Sequence, residues 1–372
     1  MSSHVRHRPH RECRGALHEA SPVGRCARLA ALALVLVVAG CATAPYGDSG
    51  AAAPQTASPQ AALLGIPLDE KLEARILALD PQHVSDSDVR TVLAAGPAPR
   101  IVAFHGGIYP VHLLMESFAR FLEGMGYPQA RLRHPGDGRQ SHSPYENSTQ
   151  IAGLIAWYYE QEGMMPMLVG HSQGGIQLVK VLYELAGNVT GPIPVWNPKT
   201  DAAENRVTIR DPYTGAERPV VGLRINYASV VASGGAALLL PNQWSMAGRL
   251  RSIPDSVDDF TGYVLGVDLI AWDLPGAGSP YTAKGSTKVR NVELPAGYSH
   301  VFVVGTSALA RDPAMREWLN AYVPGRAEEP PASAQSTDNS LWAADVWYSI
   351  KKHWVLEAQK FVRARRELVA RQ

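Results

Sequence analysis

The chain of 372 residues has three cysteines, almost no net charge and only a short apolar run near its start. Three thiols are too few for a disulfide framework or a cysteine-rich metal site. Lys and Arg number 35 against 34 Asp and Glu, a formal net charge of +1. That balance creates no long-range field for a polyanion, and the body of the chain carries no Lys/Arg stripe interleaved with aromatics, so nucleic acid is not an expected partner. The apolar run Leu29 to Ala39 is eleven residues, too short to span a bilayer as a helix.

The sequence has residues enough for one large α/β domain with a sizeable core. Ahead of it, Arg25 and Arg28 precede the apolar run, which ends in Val38-Ala39-Gly40-Cys41. This arrangement resembles the bacterial lipoprotein cleavage box, with a plain secretory signal ending near Ala42 or Ala44 as the alternative. The resemblance implies a signal peptide over 1–40, a lipid-modified Cys41 and a firm membrane anchor without a span. Cys13 and Cys26 then leave with the signal. Ala42 after the cysteine implies sorting to the outer membrane, which would place the protein in a bacterial cell envelope facing the periplasm. The Arg- and His-rich stretch Met1 to Pro22 is long for such a signal, and a start at Val23 would give a compact one.

Residues 41–62 are rich in Ala, Pro, Ser and Gly, the composition of a flexible tether. The body, 63–324, opens with a short helix on Leu68, Leu72, Ile76, Leu77 and Leu79 that Pro81 stops. It then alternates strand and helix signals: a strand at Ile101 to Phe104, a helix from Leu113 to Met125, a strand near Ala130 to Leu132, and a helix from Glu146 to Gln161. Alternation of this kind predicts an α/β fold with a doubly wound, mostly parallel sheet. An insertion over 191–220 reads as a hairpin, and a strand follows over Leu223 to Val231. Residues 238–254 are apolar and suit a lid or core packing. Strands are expected within Tyr263 to Trp272 and over Val289 to Leu294, then a helix over Pro313 to Tyr322. Asp255, Asp258 and Asp259 read as a helix N-terminus or a solvated turn. Residues 325–340 have the composition of a linker. Over 341–372 a basic amphipathic helix places Trp347, Trp354, Phe361 and Leu368 one heptad apart, suited to packing on the domain, to self-association or to membrane contact.

The chemistry concentrates at Met167-Leu168-Val169-Gly170-His171-Ser172-Gln173-Gly174-Gly175. A buried strand runs into a Gly-x-Ser-x-Gly turn and then a helix, the context of a nucleophile elbow. Gly170 and Gly174 flank the serine because a turn this sharp leaves no room for side chains. A serine hydroxyl needs a base, and the base needs a carboxylate to fix its tautomer. His300 is the only histidine between Ser172 and the C-terminal helix, and it follows the expected last strand. For the acid, Asp273 is preferred at the end of Leu269 to Trp272, with Asp268 the alternative. Oxyanion donors are expected from the backbone of Gln173 and from the turn His105-Gly106-Gly107-Ile108, with Gly107 first and Ile108 next. His105 is expected to brace that turn, and Tyr109 and Tyr145 to line the cleft.

Together these units resemble the α/β-hydrolase superfamily, with similarity to bacterial lipases and esterases over about residues 100 to 323. The Gly191 to Val220 insertion and the C-terminal helix depart from it. The resemblance implies a serine hydrolase that cleaves carboxylic esters through an acyl-serine intermediate and needs neither metal nor organic cofactor. Its partners would be an ester or lipid substrate and the membrane. An acyltransferase on the same scaffold and a non-catalytic envelope lipoprotein are the alternatives.

Overall fold

The computed structural model describes residues 59–108, 111–188, 191–272, 280–326, 329–331 and 339–371. The expected signal peptide, Cys41, Tyr109 and Asp273 lie outside them. All described residues belong to one compact unit.

Side chains that alternate along a strand face opposite sides of a sheet, and the first three strands of the main sheet bury both sides. Five of them form a parallel sheet: β1 (Ile101–Phe104), β2 (Met167–His171), β7 (Ile225–Val231), β9 (Val257–Leu265) and β11 (Lys288–Leu294), side by side in that order. Ile101, Ala103, Met167 and Val169 enter one apolar cluster, whereas Val102, Phe104 and Leu168 enter the other. Near-continuous apolar runs are what a sheet covered on both faces requires.

The helices are α1 (Pro59–Leu64), α2 (Glu70–Ala78), α3 (Asp86–Thr91), α4 (Val111–Gly124), α5 (Ser148–Glu162), α6 (Gln173–Leu185), α7 (Pro313–Ala321) and α8 (Ser340–Ala370). Phe118 and Phe121 of α4, Leu319 of α7 and Trp342 and Trp354 of α8 cover one face. Ile155 of α5 and Leu178 and Leu182 of α6 cover the other. Helices on both faces of a parallel sheet make this a mixed α/β architecture consistent with a doubly wound fold. The 191–220 insertion folds as two small antiparallel pairs, β3 (Trp196–Asn197) with β4 (Ala202–Ala203) and β5 (Thr208–Arg210) with β6 (Glu217–Pro219). A short parallel pair, β8 (Ser252–Ile253) with β10 (Thr282–Ala283), completes the strands.

Three expectations are corrected. Ala130 to Leu132 is not a strand: Gln129–Arg131 is a 3-10 turn, because the Arg100 guanidinium gathers the carbonyls of Ala130 and Arg133 and curls the segment. The edge of β1 is met by His142 instead, through His142 N–H to Ala103 O at 2.7 Å and His105 N–H to His142 O at 3.1 Å. Asp258 and Asp259 lie within β9, where Asp259 accepts from Lys352 and His353 of α8. The last residues of the expected tether belong to α1, since Leu63 buries against Met164 and Phe361.

The 31-residue α8 spends its aromatic seam inside the chain. Trp342, Trp347, Trp354 and Phe361 are fully buried. Asp345 receives Tyr263 Oη–H at 2.5 Å and both terminal nitrogens of Arg290, which ties the helix to β9 and β11. Part of its basic face is also engaged, as Arg365 and Arg366 both pair with Glu73 of α2. No helix among the described residues is long and apolar enough to cross a membrane.

Candidate active site

In an all-parallel sheet the loops that follow the strands all emerge at one edge. Here that edge collects the turn after β1 (His105 to Ile108), Ser172 after β2, Ser233 after β7, Asp268 after β9 and His300 after β11. Residues distant in sequence therefore share one rim.

Ser172 joins β2 to α6 with φ 53° and ψ −127°, a conformation that costs a non-glycine residue about 1–3 kcal/mol. Its surroundings impose it. Ser172 N–H donates to Val231 O at 2.9 Å, and its carbonyl accepts from Gly175 N–H at 2.9 Å and Ser233 Oγ–H at 2.7 Å. A Cβ at Gly170 would meet Gly175 Cα at 2.7 Å, and one at Gly174 would collide with the carbonyls of His105 and Phe104. The glycines of the motif are thus close-approach sites.

Ser172 Oγ lies 2.9 Å from His300 Nε2, and His300 Nδ1 lies 2.7 Å from Asp268 Oδ2. The other carboxylate oxygen of Asp268 accepts from Ile270 N–H at 3.1 Å and Ala271 N–H at 2.9 Å. Burial opposes ionisation of Asp268, yet the bonds from His300, Ala271 and Ile270 hold its carboxyl below the usual value. An ionised carboxylate on Nδ1 keeps the proton there and leaves Nε2 free to accept one from the hydroxyl.

The acid expected first, Asp273, lies outside the described residues, and the carboxylate on His300 is that of Asp268. The preference for Asp273 rests on letting the strand expected within Tyr263 to Trp272 run to its last residue. The strand ends at Leu265, so the first carboxylate beyond its end is Asp268.

Gln173 opens α6, where a helix leaves its first N–H groups without intrahelical partners. The turn carrying Gly107 closes over it: a Cβ at Gly107 would collide with Gln173 Oε1, and one at Gly106 would come within 3.2 Å of Ser172 Cβ. Tyr145 Oη–H donates to Gly107 O at 3.3 Å. Ile108 is exposed and its carbonyl accepts from Val111 N–H at 2.8 Å. His105 Nδ1 lies 3.1 Å from Ser141 Oγ; burial, then the charge of His112, pushes its imidazole down to about 4.

Two features were not legible beforehand. His171, in the same motif, reaches the backbone carbonyl of His300 with Nε2 at 2.7 Å. Glu146 anchors the loop beside β1: its carboxylate lies 2.7 Å from His142 Nδ1 and accepts from Ser143 N–H at 2.7 Å, while its carbonyl accepts from Gln177 Nε2 of α6 at 2.7 Å. Despite burial, the bond and charge of His142 bring Glu146 down to about 2.

The same rim exposes large apolar side chains on four loops: Ile108 after β1, Leu239 and Trp244 after β7, Leu269 and Trp272 after β9, and Phe302 after β11.

No family model matches the chain, and no curated protein matches it. Among solved structures, one described as "RedJ with PEG molecule bound in the active site" is similar over 61% of this chain and 92% of that chain, at 15% identity and a TM-score of 0.26. A likeness that slight carries no argument.

Proposed function

We propose that the chain is a serine hydrolase of the α/β-hydrolase kind that cleaves carboxylic esters through an acyl-Ser172 intermediate. The observation that carries this reading is the unbroken relay Ser172 Oγ, His300 and Asp268, with 2.9 Å and 2.7 Å at its two links, on a serine held at positive φ.

In this reading His300 Nε2 takes the hydroxyl proton as Oγ attacks the ester carbonyl. The negative charge that forms on the carbonyl oxygen is met by the backbone N–H groups of Gln173 and Gly107. As the intermediate collapses, the C–O bond to the alcohol breaks and His300 returns its proton to the leaving oxygen. Water then enters on the acyl-enzyme, His300 takes its proton, and the acid leaves with Ser172 restored. Asp268 holds the ring in the productive tautomer throughout.

The apolar rim of Ile108, Leu239, Trp244, Leu269, Trp272 and Phe302 favours esters with long apolar acyl groups, lipids among them. A lipid anchor on Cys41 in the outer membrane would bring the site to such substrates. A fluorophosphonate probe tests the mechanism: it should label Ser172 in the wild type and fail to label Ser172→Ala, which should also lose ester turnover while keeping its melting temperature. A folded Ser172→Ala that retains turnover would sink the proposal.

A further inference from the structure

His171 is the last residue of β2 and the immediate neighbour of Ser172. Its ring is wholly buried and touches the base through the main chain, with Nε2 2.7 Å from His300 O. A carbonyl only accepts, so Nε2 carries the proton and donates it. Nδ1 finds no hydrogen-bond partner among the described residues. Burial, and next the charge of His300, push the His171 imidazole down to about 3, so near neutral pH it is an uncharged, single-proton donor with one bond to make.

The carbonyl it grips belongs to an irregular stretch. Residues 295–304 form neither strand nor helix, so no regular ladder sets the backbone of His300. The side chain of His300 is held at Nδ1 by Asp268 and at Nε2 by Ser172. Its backbone is held by His171, with the two imidazole centroids 5.4 Å apart. Consecutive residues of one turn thus grip both ends of the histidine: Ser172 its ring, His171 its main chain. Gly106 leaves room for this ring, since a Cβ there would stand 3.1 Å from His171 Nδ1 and 3.2 Å from Ser172 Cβ.

We infer that His171 is a positioning residue for the esterase reaction: its Nε2–H bond to the carbonyl of His300 sets the base over Ser172. The inference rests on the hydrolase reading above. A neutral ring suits the role, because a second cation 5.4 Å away would disfavour the imidazolium that His300 must become in each half-reaction.

The test compares His171→Phe, which keeps a buried ring and loses the donor, with His171→Gln, which returns an N–H donor at similar reach. The readouts are kcat and KM for p-nitrophenyl acetate, the fluorophosphonate labelling rate at Ser172, and thermal melting. H171F is expected to lower kcat and the labelling rate about 10–100-fold, the scale of an ångström-level misplacement. KM should stay within about twofold, the mark of a loss confined to the transition state. H171Q should recover most of the rate. A merely structural role would lower the melting temperature and leave kcat of the folded protein unchanged. Wild-type kcat in H171F, or equal losses in H171F and H171Q, overturns the inference while wild-type labelling at Ser172 upholds the hydrolase reading. No labelling of the wild type overturns both. Should H171F not fold, His171→Met, which also lacks a donor, takes its place.

Discussion

Asp268 Oδ2 stands 2.7 Å from Nδ1 of His300, three residues beyond the end of β9 at Leu265. Neither residue reaches the other until β9 and β11 pair in parallel, with Leu265 opposite Leu294, so that the two following loops leave the sheet together. Replacing Asp268 by Asn removes the charge that holds the Nδ1 proton. We predict a fall in kcat on the order of 10³–10⁴-fold with little change in melting temperature. Asp273→Asn should cost less than about tenfold. Steady-state turnover of p-nitrophenyl acetate by both variants checks this, and two equally small losses would show that Asp268 is not the acid.

The rim around the serine gives a second prediction, on substrate form. Leu269 and Phe302 are exposed and lie on the loops that carry Asp268 and His300. Leu269→Ser and Phe302→Ser together remove apolar area without touching the relay. Turnover of a soluble short-chain ester should stay near wild type, whereas turnover of a dispersed long-chain ester should drop at least about tenfold, since even partial burial of two such side chains against an acyl chain is worth more than about 1.4 kcal/mol. Equal effects on both substrates would argue against the rim as an acyl-binding surface.

A third prediction concerns pH and stability. Glu146 falls from an ordinary value of 4.5 to about 2 in the folded chain. A carboxyl with a depressed folded value contributes stability that is fully present above its unfolded value and is lost as pH drops toward the folded one. Glu146→Gln should therefore melt below wild type at pH 5, and the margin should narrow between about pH 4.5 and pH 2. Melting curves for both proteins across this window provide the measurement. A margin that does not depend on pH would mean that the carboxylate's charge contributes nothing.

The fourth concerns α8. Trp354 is fully buried, its Nε1–H donates to Pro97 O at 2.9 Å, and its ring stands 4.5 Å from that of Tyr127. Trp354→Ala should cost about 3–5 kcal/mol by urea unfolding, the range for a large aromatic deleted from a core. A loss below about 1 kcal/mol would mean that the middle of the helix is dispensable to the domain.

What could be read beforehand was local or depended on few candidates. The elbow was legible because strand, turn and helix are contiguous, and the demand for small residues at Gly170 and Gly174 is a local steric one. His300 was legible because only one histidine follows Ser172 before the C-terminal helix. Asp273 is the first choice from sequence, whereas the carboxylate that meets His300 is that of Asp268, because an apolar run such as Leu269 to Trp272 does not announce where a strand stops. Pairing with β7 and β11 decides that, and β9 ends at Leu265. The bond of His171 to His300 had no local signal, since it joins residues 129 positions apart.

By itself, then, the sequence determined a strand-turn-helix with a serine at its apex, an alternation of elements that makes a parallel sheet, and a long helix with an aromatic seam. These follow from short-range periodicity and sterics. Only the tertiary structure decided that the Asp268 carboxylate meets His300, that His171 bonds the main-chain carbonyl of His300, and that the tryptophans of α8 fill the chain's own core. Those outcomes depend on register and burial between segments far apart in the chain, where hydrogen-bond geometry and the exclusion of water choose among residues that look alike in isolation.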